Sequence, residues 1–278
     1  MKTRDYIQIS IIALAAACLI KLFVLDAIIV SSPSMESTLM VGDLVLVNKL
    51  VSLRGEKHVP IVKSEITIPN LPFAGHIERE DVIVFNYPGD RDEREMPNGT
   101  EYVKRCVGVG GDTIEIRDGD LYVNRNYIPL PEMHRHSLFP QSFADDRLFP
   151  RNKKNNLDNY GPVIVPKSGD VAALNLETYP LWEKLIRGEG HTLELTGDRI
   201  SLDGKRTDTY TIQRNYLFVL GDNFYNSSDS RFWGFLPEEK VIGKAEIIYW
   251  SIEEPLHHGG FKGLFSSIRW NRLGSFIR

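Results

Sequence analysis

Short apolar runs, each entered through a turn, recur along this chain and constrain its fold more than any other feature. Gly42-Asp43 leads into Leu44-Val45-Leu46-Val47, Glu80-Asp81 into Val82-Ile83-Val84-Phe85, and Gly169-Asp170 into Val171-Ala172-Ala173-Leu174. Runs of this length, bounded by turn residues, read as buried strands. A second echo pairs Asp112-Thr113-Ile114-Glu115-Ile116, then Gly119, with His191-Thr192-Leu193-Glu194-Leu195, then Gly197. Hairpins of any β protein look alike, so the echo needs no duplication to explain it. The expected fold is mainly β, an antiparallel sheet forming the core, with a β-rich insertion. Thr178–Arg187 is the one good helix candidate beyond the N-terminus, with Leu181, Trp182, Leu185 and Ile186 at helical spacing.

The N-terminus is different. Tyr6–Leu25 is apolar apart from Gln8, Ser10 and Lys21, and a helix of that length reaches about 30 Å, the hydrocarbon thickness of a bilayer. Ala15-Ala16-Ala17 also satisfies the small-residue rule for a cleaved signal peptide. Cleavage there would leave Cys18–Val30, still strongly apolar, at the new end, which favours a retained single transmembrane anchor. Lys2 and Arg4 favour a cytoplasmic N-terminus, with all that follows on the other side. The 278 residues then divide into an anchor (1–25), a first part of the core (26–110), an insertion (111–210), a second part of the core (211–255) and a basic tail (256–278).

A net charge of −4 gives no basic excess, so nucleic acid is not an expected partner. Cys18 and Cys106 are not expected to form a disulfide, one being in the apolar segment and the other far from it. His134-Arg135-His136 and His257-His258 lack companions at zinc spacing, so neither a metal nor a cofactor is expected. In the tail, Lys262, Arg269, Arg272 and Arg278 accompany Phe261, Leu264, Phe265 and Ile268 at helical spacing. That pattern suits an interfacial helix on anionic lipid, or a tail packed on the core.

Chemistry gathers in three stretches. Val30-Ser31-Ser32-Pro33-Ser34-Met35-Glu36-Ser37-Thr38-Leu39 is rich in hydroxyls and follows the apolar segment, which makes Ser34 a candidate nucleophile near a membrane. Serine needs a base. Tyr102-Val103-Lys104-Arg105-Cys106-Val107-Gly108 reads as a strand, and a lysine flanked this way can be desolvated until its neutral amine accepts a proton. Alone, the stretch would read as a surface Lys-Arg pair. Gly221-Asp222-Asn223 through Asn226-Ser227-Ser228-Asp229-Ser230-Arg231-Phe232-Trp233 is the third, with more hydroxyls and charge than a turn requires.

Together, four motifs in order resemble the type I (leader) signal peptidases of bacteria. They are Ser32-Pro33-Ser34-Met35 with Thr38-Leu39; Gly42-Asp43-Leu44-Val45-Leu46-Val47; Lys104-Arg105 with Val107-Gly108 and Gly111-Asp112; and Gly221-Asp222-Asn223 with Asn226-Ser227 and Asp229-Ser230-Arg231. The resemblance implies a membrane-bound serine endopeptidase that removes signal peptides from secretory preproteins through a Ser/Lys dyad. It assigns Ser34 as nucleophile and Lys104 as base, and makes the oxyanion hole from the Ser32 hydroxyl and the Ser34 backbone N–H. Ser227 would orient the lysine. Asp229 and Arg231 would buttress the site, with Arg105 as a third member. An extended substrate would lie against pocket walls supplied by Val30, Met35, Leu39, Tyr102 and Val103. The resemblance also implies a location in the bacterial cytoplasmic membrane, with the catalytic part on its outer face.

Pro33, Ser37 and Phe224-Tyr225 depart from the common family pattern, Ser37 standing where proline is frequent. Two other kinds of protein compete with this reading: a specialised or self-cleaving Ser/Lys protease, and a catalytically silent, membrane-tethered binding protein of the same fold. A self-cleaving repressor should carry a DNA-binding domain before the serine, and a silent protein should lack the serine or the lysine.

Overall fold

The apolar runs of the sequence become the central strands of a computed structural model, which describes residues 6–14, 21, 24–53, 57–61, 64–68, 75–89, 99–129, 131, 143–151, 153–253 and 266–278. The first part holds β1 (Leu25–Ile29), β2 (Asp43–Asn48), the hairpin β3 (Lys57–Ile61) and β4 (Ser64–Ile68), β5 (Val82–Asn86) and β6 (Glu101–Val109). Then follow β7 (Thr113–Arg117), β8 (Asp120–Val123), β9 (Asn126–Ile128), β10 (Tyr160–Ile164) and β11 (Val171–Ala173). After a helix at Tyr179–Gly188 come β12 (Leu193–Thr196), β13 (Arg199–Leu202), β14 (Lys205–Arg206) and β15 (Thr209–Thr211). The chain closes with β16 (Tyr216–Leu220), a short helix at Ser230–Trp233, β17 (Leu236–Pro237), β18 (Val241–Ser251) and β19 (Ser275–Phe276).

The main sheet has the order β1-β2-β18-β5-β6-β16-β17, with β19 beside β18. Every pairing in it is antiparallel. Three strands separate β1 from β6, yet residues of both line one cleft, so the sheet curls to bring them face to face. Val30, Met35, Leu39, Val45, Val82, Ala245 and Ile248 fill one side of that curl. A larger core under the 4-stranded sheet β10-β7-β8-β9 gathers Ile114, Ile116, Leu121, Phe149, Tyr160, Phe218 and Phe235. The helix at Tyr179–Gly188 docks there through Leu185 and Ile186, with Leu181 and Trp182 packed alongside, as its spacing predicts.

Two expectations change. Residues 6–14 and 21 of the anticipated anchor are helical, while 15–20 and 22–23 lie outside the described residues. Leu25 does not end that helix: it opens β1, where it pairs with Asn48. Among the described residues no helix is long and apolar enough to cross a membrane. The second correction concerns the tail, whose described part, 266–278, packs on the sheet rather than forming an interfacial helix. Ile268 bridges Ile252, β19 pairs with β18, and Arg269 and Arg272 reach the buried Asp43. A buried carboxylate strongly favours cationic partners, and that pull keeps these arginines from a lipid-facing surface. Phe261, Leu264 and Phe265 lie outside the described residues.

Candidate active site

Pro33 opens a single 3-10 turn, Pro33–Met35, where its fixed φ and missing N–H are no handicap. Such a turn leaves the N–H of Ser34 without an acceptor inside it. Ser32 precedes the turn in extended conformation, and its Oγ lies 3.2 Å from Ser34 Oγ. Ser34 itself is buried at the foot of the cleft.

Lys104 comes to the same point from β6. Its Nζ donates to Ser34 Oγ at 2.7 Å and to the Val103 carbonyl at 3.0 Å, and it stands 5.2 Å from the centroid of the Tyr102 ring. Only 3% of the residue is exposed. Burial pushes its pKa down from 10.5 to about 8, against the pull of Asp229 and Asp222. Those two carboxylates are occupied elsewhere. Asp222 takes a two-pronged bond from Arg105 at 2.8 and 2.7 Å, and Asp229 takes one from Arg231 at 2.9 and 2.8 Å. Each acid therefore offers the amine little uncompensated charge, and a minor but usable fraction of Lys104 is neutral close to physiological pH.

The loop after β16 completes the arrangement. Asn223 N–H donates to the Ser34 carbonyl at 3.0 Å, while its side chain donates to the Pro33 carbonyl at 3.1 Å and to Glu36 Oε2 at 3.3 Å. Sequence reasoning missed Asn223, because an asparagine after Gly-Asp reads as turn chemistry. Arg231 and Asp229 are fully buried, and the guanidinium also donates to the Phe224 carbonyl and lies 3.9 Å over the Phe224 ring. The Asp229 carboxylate accepts the Gly221 N–H at 3.1 Å, so this pair shapes the loop from behind.

Three anticipated residues sit differently. Ser227 is buried, but its Oγ has no hydrogen-bond partner among the described residues. Its side chain lies against Gly221, where an added Cβ would come within 2.1 Å of the hydroxyl, and the Val103 carbonyl holds Lys104 instead. Arg105 does not join Asp229 and Arg231; it pairs with Asp222 and also bonds the Glu80 carbonyl and Thr38 Oγ1. Leu39 is not a cleft wall. It follows the turn inward, its N–H bonded to the Met35 carbonyl, and is wholly buried in the core beside Val45 and Ala245.

Val30, Met35, Tyr102 and Val103 do line the cleft, which holds about 380 Å³, together with Ile28, Ile29, Pro33, Thr100, Glu101, Asn226 and Ser228. Among the described residues no group of three or more His, Cys, Asp or Glu could hold a metal ion.

A lysine amine against a serine hydroxyl at the floor of an open cleft is the arrangement of serine hydrolases in which lysine replaces histidine as base. Residues 3–250 match the family described as signal peptidase, peptidase S26. The chain is similar to signal peptidase I of Buchnera aphidicola subsp. Schizaphis graminum, 30% identical over 85% of this chain and 71% of that one. It is similar also to signal peptidase I of Aquifex aeolicus, at 28% identity over 91% and 86% of the two chains. A solved signal peptidase I from Enterococcus faecalis V583 is a remote structural likeness, with TM-score 0.31 and 21% identity over 60% of this chain and 95% of that one. The chain belongs to the signal peptidase family, peptidase S26, and is a serine peptidase.

Proposed function

We propose that this peptidase removes N-terminal signal peptides from secretory preproteins, with Ser34 as nucleophile and Lys104 as general base. The observation that carries the reading is the 2.7 Å contact between a buried lysine amine and a serine hydroxyl, beside an open cleft. Neutral Lys104 takes the Ser34 proton as Oγ attacks the scissile carbonyl. The resulting oxyanion accepts hydrogen bonds from the Ser34 N–H and the Ser32 hydroxyl, a contribution of roughly 3–4 kcal/mol per donor to the barrier. Protonated Lys104 then passes its proton to the leaving amine, and repeats the cycle with water to release the acyl group.

The substrate lies extended between β1 and residues 101–104 of β6. Among the described residues β1 pairs with β2, and β16 pairs with β6 from Arg105 onward, so the outer side of β1 and the start of β6 flank the cleft with no strand between them. The walls Val30, Met35, Tyr102 and Val103 favour small side chains. The membrane is the natural place for this work: the N-terminal helical residues carry exposed Ile7, Ile9, Ile11, Ile12 and Leu14, and Ser34 follows them closely. The enzyme then stands at the bacterial cytoplasmic membrane, single-pass, with its catalytic part outside and lipid as a partner.

The test is cleavage of a precursor by wild type, Ser34→Ala and Lys104→Ala. Both variants are expected to lose turnover while keeping a cooperative melting transition. Full activity of either would sink the assignment.

A further inference from the structure

Residues 33–42, which carry the nucleophile, have little regular structure of their own. Inside the stretch, the Glu36 N–H bonds the Pro33 carbonyl, and the N–H groups of Thr38 and Leu39 bond the Met35 carbonyl. Beyond a few bonds to Val30 and Asp43, the rest of its support comes from distant parts of the chain. Arg272 Nη2 donates to the Thr38 carbonyl at 2.9 Å and to Asp43 Oδ2 at 2.6 Å, while its Nε donates to Asp43 Oδ1 at 3.2 Å. Arg269 Nη2 donates to the Val41 carbonyl at 2.6 Å and to the Ile252 carbonyl at 2.9 Å, and its Nε to Ser251 Oγ at 2.8 Å. Asp43, wholly buried, also accepts the Met40 N–H at 2.8 Å and the Ser251 hydroxyl at 2.6 Å. Gly42 has no room for a side chain here, since a Cβ would fall 2.0 Å from the Ile252 carbonyl oxygen.

The tail does not need this to stay attached, because the β19 pairing and the Ile268–Ile252 bridge already hold it. Burying a carboxylate with two guanidinium groups also adds little net stability. What the arrangement supplies is position. We propose that Arg272, supported by Arg269, is a positioning residue for the reaction: through Thr38 it fixes the turn that presents Ser34 to Lys104. The inference rests on the Ser34/Lys104 reading above.

The connection is short. Arg272 holds the carbonyl of Thr38, the N–H of Thr38 holds the carbonyl of Met35, and Met35 is bonded to Ser34. Arg105, the neighbour of Lys104, reaches the same threonine through its hydroxyl at 3.1 Å. Thr38 is thus gripped from the base strand and from the tail, which sets the nucleophile turn relative to β6. Without Arg272 the turn can shift while the walls Val30, Tyr102 and Val103 stay in place. The loss then falls on kcat, and a displacement of about 1 Å costs up to roughly a hundredfold.

The experiment compares the full chain with Arg272→Ala, Arg272→Lys, Ser34→Ala and Tyr216→Phe. The last removes a buried hydroxyl bond to Glu189 (2.8 Å) in the other core and serves as a purely structural control. Cleavage of a precursor is measured at the same interval below each variant's melting temperature. Arg272→Ala is expected to lower kcat about ten- to a hundredfold with KM within about twofold of wild type. Arg272→Lys, which keeps the charge but cannot span Thr38 and both Asp43 oxygens, should be intermediate, and Tyr216→Phe should keep wild-type kcat.

Wild-type kcat in folded Arg272→Ala overturns the proposal, as does an equal kcat loss in Tyr216→Phe. If Arg272→Ala does not fold, wild-type kcat in Arg272→Lys overturns it. Cleavage by Ser34→Ala at the wild-type rate would remove the nucleophile assignment itself. An inactive Ser34→Ala beside a fully active Arg272→Ala removes the positioning role alone.

Discussion

The amine of Lys104 occupies a place where charge is costly. Lowering a lysine pKa from 10.5 to about 8 corresponds to about 3 kcal/mol of differential stability between the protonated states. The sign follows from linkage. Below about pH 8 the lysine is protonated in the folded and unfolded chains alike, and folding bears the whole cost. Between that value and 10.5 the folded state sheds its proton first, and the cost fades. Lys104→Met is therefore expected to be inactive yet more stable than wild type at pH 7, by up to about 3 kcal/mol. Urea titrations at pH 7 and pH 10 check this, and an undiminished difference at pH 10 would contradict it. The wild-type rate should fall about tenfold per pH unit below pH 8. Ser37 offers a second single-residue test. Its φ of +97° lies in the region that suits glycine, and its buried hydroxyl has no partner among the described residues. Ser37→Gly should gain about 1 kcal/mol, whereas Ser37→Pro, with φ held at about −65°, should lose activity. Thermal melts and a precursor assay distinguish them.

Among elements, the loop between β16 and the helix at Ser230–Trp233 is the tightest constraint on the site. A Cβ on Gly221 would lie 2.6 Å from the Ser34 carbonyl oxygen, which cannot retreat because the Asn223 N–H holds it. Gly221→Ala is expected to cost about 1–3 kcal/mol and to lower kcat, as thermal melts and precursor cleavage would show. Unchanged kcat would mean that the loop does not set the position of Ser34. At this scale the sequence is readable wherever an element is an unbroken apolar run or a helical stripe, as at Leu44–Val47, Val82–Phe85, Tyr216–Leu220 and the helix carrying Leu185 and Ile186. The meeting of Ser34 with Lys104 is legible only through the family that four motifs in order resemble, not through the residues around either one. What was not legible depends on three-dimensional neighbours. Arg105 finds Asp222 across 117 residues rather than the equally available Asp229, and nothing local to Arg105 records that choice. Leu25 looked helical because it continues an apolar run, and only its pairing with β2 makes it a strand. The arginines of the tail looked lipid-facing because Asp43, their true partner, lies at the other end of the sequence.

In the molecule as a whole, the curl of the main sheet sets β1 and the start of β6 on opposite sides of the cleft, an arrangement that predicts a substrate bound as an extended strand and recognised largely by its backbone. N-methylation of a substrate amide within the cleft should then weaken binding about fivefold per lost hydrogen bond, the equivalent of about 1 kcal/mol. Enlarging a side chain that points away from the cleft walls should have little effect. A methylation scan of a cleavable peptide, read as KM, decides the matter, and a flat profile would exclude the strand-like binding mode.

The span between Asp43 and Arg272, 229 residues, also bears on the making of the enzyme. The nucleophile loop leaves the ribosome early, and its clamp emerges only after every strand of the main sheet except β19 has been synthesised. A partly made chain thus carries its serine in a turn that still lacks its hold from Arg272. On the positioning role proposed for Arg272, full activity needs a residue made among the last, when the fold that contains the site is nearly complete.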